Sequence, residues 1–377
     1  MLMKKIRASK ITSLAALVAV ALGSTAYATQ YTVTPLGTLG GAQTQVNAIS
    51  STGELVGWSD NASGVQTAFS FNSGSLQSLG ILSGYTSSVA YGVNQFGQIV
   101  GAENNSQVSQ AFLDSNGSTS LLYLGPLYSG DVDVAYGINS IGQIVGETSN
   151  MYGQSGFLYA NGAMQRSLYL ANNPAQAYGI NDNGQIVGYA VDNSGTEDSF
   201  LYSNGTMTNL GTMGGTASAA NAINSSGQIV GWADNSAGNQ YAFLYSNGAI
   251  TDLGTLGGTS SQANGINSSG QIVGWAANSA GSQDAFLYSN GVMQNLNSLI
   301  GSASSEYTLT DAQGINKNGQ IAVNGTVTAT GQNMGFLLTP VTSTSSAAVP
   351  APETLGLLAA AMAGLLLMRR KQARSLS

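Results

Sequence analysis

The sequence predicts an all-β fold, and three observations favour a seven-bladed β-propeller of four-stranded antiparallel blades. A Gly-Gln-Ile-Val-Gly pattern recurs seven times along the chain at a period of about 43 residues, with variant copies Gly-Glu-Leu-Val-Gly at 53–57 and Gly-Gln-Ile-Ala-Val at 319–323. Each repeat contains four short apolar segments separated by turn residues, which is the size of one propeller blade. The N-terminal segment also supplies a strand that the last repeat lacks, so we expect the ring to close on itself.

The repeated pattern marks the start of the second strand in each repeat. In the fifth repeat we expect strands at 220–223, 228–232, 241–245 and 249–253. Asn224 and Gly227 suit a turn between the first two strands, and Asn247-Gly248 suits a hairpin turn between the last two. The first glycines of the seven patterns are Gly53, Gly97, Gly142, Gly184, Gly227, Gly270 and Gly319.

Two columns of residues support this assignment. The third position of each first strand is always glycine or alanine, as expected where strands crowd towards a central axis. Its members are Ala48, Gly92, Gly137, Gly179, Ala222, Gly265 and Gly314. One phenylalanine recurs in each third strand, which predicts a packing position between blades. These are Phe69, Phe112, Phe157, Phe200, Phe243, Phe286 and Phe336.

The two ends of the repeat region indicate a closed ring. No fourth strand follows the last third-strand segment at 335–341, but Tyr31 to Gly41 matches the fourth-strand segment at 250–258. We therefore expect residues 31–36 to complete the last blade within a propeller domain at 29–341. The alternative is an open solenoid of stacked hairpins, which would gain nothing from this permutation.

Processing signals are predicted at both termini. Residues 1–28 combine a basic stretch, an apolar run and the small residues Ala26 and Ala28, which is typical of a secretory signal peptide helix; an N-terminal membrane anchor is the alternative. A linker at 342–349 precedes a tail at 350–377 with a short apolar helix at 355–368, which predicts a transient membrane anchor; a simple C-terminal membrane tail is the alternative. The other tail residues singled out are Pro350, Pro352, Glu353, Arg369, Arg370 and Lys371.

Two resemblances follow from these motifs. The tail resembles the PEP-CTERM sorting signal, although Ala351 stands where the family usually has Glu. The repeats Ala-Phe-Leu-Tyr-x-Asn-Gly and Leu-Gly-Thr-Leu-Gly-Gly resemble the extracellular HAF-repeat proteins over nearly all of 31–341. In this chain the family's His is replaced by Thr67, Gln110, Ser155, Asp198, Tyr241, Asp284 and Met334.

The resemblances imply a location and two processing partners. A chain of this kind is expected to be exported by a Gram-negative bacterium to its surface or surroundings. Signal peptidase and an exosortase-like enzyme are the implied processing partners.

The composition excludes several classes of function. The chain has no cysteine and no histidine, which removes thiol nucleophiles, histidine relays and the usual zinc sites. Residues 29–341 hold two basic residues against sixteen acids, a net charge of −14, which argues against binding nucleic acid or anionic lipid. We predict no catalytic residue, no metal site and no cofactor.

One further column suggests a binding surface. At the exit of the second strands, an aromatic residue is followed by a carboxylate or, for Trp275, by the amide of Asn278, a combination that suits sugar rings and hydroxyls. The candidate ligand-binding residues are Trp58, Asp60, Tyr189, Asp192, Trp232, Asp234 and Trp275. The alternative is that these rings only pack between blades.

The expected function is that of a non-catalytic structural or adhesive surface protein, with exopolysaccharide or surface proteins as partners. A propeller-based polysaccharide hydrolase or lyase is one alternative, and it predicts acids converging on one mouth of the channel. A protein-interaction scaffold is the other.

Overall fold

The computed structural model describes residues 29–341, except 126, 127, 129, 151, 152, 171, 172, 193 and 194. The predicted signal helix at 1–28 and the apolar helix of the tail therefore lie outside the described residues. The described residues up to Pro340 form one compact unit. In the described part, no helix has the length and apolar character needed to cross a membrane.

The described residues are built from strands and two short 3-10 turns, Leu296–Ser298 and Gly301–Ser305. The strands of the first half are β1 (Tyr31–Pro35), β2 (Gly40–Ile49), β3 (Leu55–Asn61), β4 (Gln66–Asn72), β5 (Ser75–Gly80), β6 (Ser87–Val93), β7 (Ile99–Asn104), β8 (Ser109–Ser115), β9 (Ser118–Leu121), β10 (Val132–Ile138), β11 (Ile144–Asn150), β12 (Gly153–Ala160), β13 (Ala163–Leu170) and β14 (Asn173–Ile180).

The strands of the second half are β15 (Ile186–Val191), β16 (Glu197–Ser203), β17 (Thr206–Gly211), β18 (Gly214–Ile223), β19 (Ile229–Asn235), β20 (Gln240–Ser246), β21 (Ala249–Asp252), β22 (Gly257–Ile266), β23 (Ile272–Asn278), β24 (Gln283–Ser289), β25 (Val292–Asn295), β26 (Tyr307–Ile315), β27 (Ile321–Val327) and β28 (Gln332–Pro340).

Antiparallel meanders of four strands are the unit of the fold. β2–β5 and β22–β25 each form a separate four-stranded sheet, whereas β6–β21 form one continuous sixteen-stranded sheet. The meanders within that larger sheet are joined by short contacts, such as the single parallel bridge between Val132 and Ser109 and the pairing of β13 with β14. The sequence did not predict these links, since they arise where neighbouring meanders approach each other.

The N-terminal strand closes the last meander, as expected. β1 pairs antiparallel with β28, with Tyr31 opposite Pro340 and Val33 opposite Leu338. The resulting sheet has the order β1-β28-β27-β26. The first strands β2, β6, β10, β14, β18, β22 and β26 contact one another in succession, and β26 contacts β2. These contacts form a closed ring.

Close backbone approach explains the small residues of the first and second strands. A Cβ on Gly231 would lie 2.0 Å from the carbonyl oxygen of Ala219, so the second strand has glycine there. On the axis side, a Cβ on Gly265 would lie 2.9 Å from the Cα of Gly314 in the next first strand. The predicted crowding towards the axis is therefore confirmed.

The phenylalanine column forms the core between meanders. All seven rings are at most 1% exposed. In one core cluster Phe243 packs with Val187, Ala220 and Ile229, which come from two successive repeats. The predicted packing role of this column is confirmed, and the repeats are joined by apolar burial as well as by hydrogen bonds.

Candidate functional site

A cavity of about 560 Å³ opens on the axis of the ring. Its wall includes the residue that precedes the small position in every first strand, so all seven repeats contribute to it. This volume lies within the range of about 300–1,000 Å³ that is usual for small-molecule sites. These seven residues are Asn47, Tyr91, Tyr136, Tyr178, Asn221, Asn264 and Gln313, and the remaining wall is formed by Tyr189, Glu197, Ala219, Trp232 and Gln262.

One side of the cavity is aromatic. The rings of Tyr91 and Tyr136 lie edge to face with centroids 5.3 Å apart, and Tyr136 contacts Tyr178 in the same way at 5.3 Å. Tyr189 extends the row, with its centroid 5.9 Å from that of Tyr178. Trp232 in β19 continues the aromatic side into the next repeat. Four consecutive repeats, β6–β9 to β18–β21, therefore present aromatic side chains to one space.

The tyrosine hydroxyls donate their protons within the wall. The Tyr136 hydroxyl donates to Glu147 Oε1 at 2.7 Å, and Gln154 Nε2 donates to Glu147 Oε2 at 2.9 Å. Burial and the hydrogen bond to Glu147 raise the pKa of Tyr136. The Tyr178 hydroxyl donates to Gln176 Oε1 at 2.9 Å, and burial raises its pKa as well.

The opposite side is lined by amides that connect neighbouring repeats. Asn47 Nδ2 donates to the carbonyl oxygen of Ala90 at 2.8 Å, and Asn221 Nδ2 donates to that of Ala263 at 2.9 Å. Asn264 Nδ2 donates in the same way to Ala312 at 3.0 Å. Each bond crosses from one first strand to the next, so these side chains hold the ring together at the cavity.

Carboxylates give the cavity a negative charge. Glu197, at the start of β16, lines the wall and is exposed. Asp311 Oδ1 and Oδ2 accept hydrogen bonds of 2.8 Å from Asn264 Nδ2 and Gln313 Nε2, and burial raises the pKa of Asp311 to about 6. None of the described residues lining the cavity is a lysine or an arginine. The part of the chain that the structure describes contains no group of three or more side chains suited to hold a metal ion.

The residues of the predicted aromatic column do not all face the cavity. Tyr189 and Trp232 line the cavity, whereas Trp58 and Trp275 are not among its described lining residues. Trp232 pairs across the sheet with the small Ala219, which leaves its ring open to the axis. Trp275 pairs with Gln262, and the glutamine lines the cavity in its place.

The predicted acidic partners lie elsewhere. Asp60 and Asp234 are half-buried near the ends of β3 and β19, outside the described cavity lining. Asp192 closes its own turn, since its Oδ1 accepts the backbone N–H of Thr196 at 2.8 Å. The processing residues Ala26, Ala28, Pro350, Pro352, Glu353, Arg369, Arg370 and Lys371 lie outside the described residues.

Sequence reasoning missed the tyrosine row and Glu147. The motif Ala-Tyr-Gly occurs in three successive repeats, at 90–92, 135–137 and 177–179, and could have indicated an aromatic wall. Glu147 follows the second glycine of its pattern, the place of Trp232 in the fifth repeat. A carboxylate at a position where three other repeats have tryptophan and one has tyrosine could have drawn attention to Glu147.

Comparison with known proteins identifies the fold. No family model matches the sequence, and no curated protein matches it either. The structure of YCF48 bound to D1 peptide is similar over 85% of this chain and 98% of that chain, with a TM-score of 0.50 and 14% identity. The fold is a β-propeller.

Two further similar structures are more distant. TolB from Acinetobacter baumannii has a TM-score of 0.42 and 13% identity, covering 82% of this chain and 80% of that chain. A gluconolactonase from Xanthomonas campestris has a TM-score of 0.38 and 12% identity, covering 83% and 96%. A shared fold does not determine a function, so function has to be argued from the site.

Proposed function

We propose that the protein is an exported, non-catalytic, seven-bladed β-propeller that binds a saccharide unit of an extracellular polysaccharide in its axial cavity. The cavity carries this proposal, because it combines an aromatic side with an amide side. The cyclic contact of the seven first strands supports the number of blades.

The two sides of the cavity suit the two kinds of surface on a sugar ring. The C–H faces of a pyranose stack on aromatic rings, and the row from Tyr91 to Tyr189 with Trp232 offers such rings. The hydroxyl groups of a sugar need hydrogen-bonding partners, and Asn47, Asn221 and the other amides supply them. A saccharide is therefore the ligand class that uses both sides.

The location rests on the two termini. The signal-like residues 1–28 and the PEP-CTERM-like tail support export, processing by signal peptidase and an exosortase-like enzyme, and delivery to the cell surface or extracellular matrix. The resemblance of the repeats to HAF-repeat proteins supports the same location. A structural or adhesive role follows if a surface protein holds matrix polysaccharide.

Co-sedimentation with the polysaccharide of the host tests the proposal. We expect the purified protein to sediment with the polysaccharide, and Trp232→Ala to reduce the bound fraction at least fivefold because stacking area is lost. Alanine is compatible with this strand position, since Ala102 occupies it in the second repeat.

The two other tryptophans provide matched controls. Trp58→Ala and Trp275→Ala change the same column outside the described cavity lining, so we expect them to leave binding within twofold of wild type. Equal losses in all three variants would reject the cavity as the site. No sedimentation of the wild-type protein would reject saccharide binding.

A hydrolase remains the second candidate, because Glu197 lines the cavity and Glu147 contacts one of its tyrosines. Hydrolysis of a glycosidic bond uses one carboxyl as acid and another as base or nucleophile. Both oxygens of Glu147 accept hydrogen bonds from protein donors, which favours a fixed structural role. We therefore expect no new reducing ends when the protein is incubated with polysaccharide, and their release would establish the enzyme.

A protein-interaction scaffold is supported by a different surface. Phe96 and Ile141 are 65% and 68% exposed, and they occupy the same place in the first turns of successive repeats. Exposed apolar side chains can mark protein contacts. Cross-linking on intact cells tests this function, and loss of a specific cross-linked partner in Phe96→Ser would support it.

A further inference from the structure

Every amide nitrogen that lines the cavity donates at least one hydrogen bond within the protein. The amide nitrogens of Asn47, Asn221 and Asn264 donate to backbone carbonyls of the next repeat, which fixes the orientation of each amide. Gln313 Nε2 donates to Asp311, and Gln262 Nε2 donates to Asn264 Oδ1. Six of the ten amide N–H donors on these five side chains are used in this way, so the protein itself fixes how each amide is oriented in the wall.

The same arrangement leaves hydrogen-bond acceptors at the cavity wall. Asn47 and Asn221 each direct one N–H to a carbonyl oxygen of the next repeat, which leaves their amide oxygens as acceptors at the cavity wall. Glu197 adds a carboxylate on the wall. Glu147 and Asp311 place two more carboxylates against lining side chains. Together these groups favour a ligand that donates hydrogen bonds and carries positive charge.

The aromatic side favours the same charge. The faces of tyrosine and tryptophan rings carry partial negative charge, so a cation near them is attracted. Carboxylates also act on these rings. Burial is the main cause that raises the pKa of Tyr178, and the negative charges of Glu147 and Glu197 raise it further. An ammonium group has three donors, no acceptor and a positive charge, which matches both sides of the cavity.

We propose that the ligand of the cavity is an amine-bearing sugar, with its ammonium group held by Glu197 and the amide oxygens and its ring stacked on the aromatic side. This inference rests on the proposed function and names the class of saccharide. A neutral or acetylated sugar would lack the charge, and an acidic sugar would be repelled by the carboxylates.

Calorimetric titration of the purified protein with three tetrasaccharides tests the inference. The probes are the β-1,4 tetramers of glucosamine, N-acetylglucosamine and glucose. At pH 7 we expect the glucosamine tetramer to bind at least tenfold more tightly than the other two. Equal affinity for all three tetramers would overturn the charge inference and leave saccharide binding intact. If none of the three tetramers bound, both the charge inference and the proposed saccharide binding would be contradicted.

The variant Glu197→Gln identifies the carboxylate. Folding is not at risk, since Gln66, Gln154 and Gln240 occupy the equivalent third-strand position in other repeats. We expect the preference for glucosamine to fall about two- to fivefold, as is usual for one exposed charge, with affinity for the glucose tetramer unchanged. The control Asp182→Asn removes an exposed charge from a turn outside the described cavity lining and should keep the preference.

The pH dependence provides an independent readout. A sugar amine loses its proton, and with it its positive charge, as the pH rises, so glucosamine binding should weaken from pH 7 to pH 9. Burial raises the pKa values of Tyr91, Tyr136, Tyr178 and Tyr189, so the aromatic side stays neutral in this range, and Asp311 with a pKa of about 6 is already charged. Glu197 on the described wall and Glu147 behind Tyr136 are two further acids beside this space. A constant or rising affinity would overturn the inference.

Discussion

At the scale of single residues, the asparagine of the first turn connects one repeat to the next. Asn224 Oδ1 accepts the backbone N–H groups of Ser226 and Gln228 at 3.0 Å, which shapes its own turn. Its Nδ2 donates to Asn267 O of the next repeat at 3.0 Å and to Gln228 Oε1 at 2.8 Å. The same cross-repeat bond is made by Asn94, Asn139, Asn181 and Asn267.

Replacing this asparagine should therefore destabilise the protein. Asn224 is 4% exposed, so Asn224→Ala leaves buried partners without hydrogen bonds. We expect a loss of about 2–3 kcal/mol in the free energy of unfolding, measured by urea denaturation. Asn333→Ala is the control, because Asn333 is exposed and its one side-chain bond is 3.4 Å long. Similar losses in both variants would contradict a special role for the turn asparagine.

At the scale of elements, β1 covers an edge that would otherwise be exposed. It pairs along its whole length with β28, and Tyr31 is 4% exposed in a core cluster that includes Leu309 and Phe336. Burial raises the pKa of Tyr31 to about 12, which agrees with this position. The strand thus contributes both backbone hydrogen bonds and apolar burial to the last meander.

Deleting Tyr31–Pro35 should open this edge. We expect a lower melting temperature and self-association in size-exclusion chromatography, because unpaired strand edges pair with other chains. A synthetic peptide of residues 29–37 should restore the melting temperature when added in trans, since it can replace the missing strand. A truncated protein that melts like wild type and stays monomeric would show that β1 is dispensable.

The elements differ in how far the sequence could predict them. The turns were predictable because Asn247 and Gly248 adopt positive φ angles of 53° and 83°, which few other residues tolerate. The first strand of the fifth repeat begins at Gly214, six residues before the expected start. This extension was missed because Gly214 pairs with Asn235 across a register shift, which breaks the alternation of apolar residues.

The cavity was harder to predict than the strands. Column positions show which residues are equivalent, but they do not show which member faces the axis. That choice depends on the residue across the sheet: Trp232 stands opposite Ala219 and reaches the cavity, whereas Trp275 stands opposite Gln262. The sequence thus indicated the aromatic column, and the three-dimensional structure was needed to select Tyr189 and Trp232 and to add the tyrosine row.

At the scale of the whole molecule, closure should make the repeats unfold together. In an open solenoid each repeat contacts only its neighbours, so a damaged repeat can unfold before the others. In the closed ring, each first strand has a neighbour on both sides, including β26 and β2. Opening one meander therefore exposes apolar surface on two others, and partial unfolding is disfavoured.

Phenylalanine substitutions in two distant repeats test this cooperativity. Phe69 and Phe243 are fully buried, so Phe69→Ala and Phe243→Ala should each lower stability by about 3–5 kcal/mol. In differential scanning calorimetry, we expect each variant to show one transition at a lower temperature, with equal calorimetric and van't Hoff enthalpies. Phe96→Ala, at a site 65% exposed, should melt like wild type. Two separate transitions in either buried variant would favour the open solenoid, because only the closed ring requires every repeat to lose its neighbours at once.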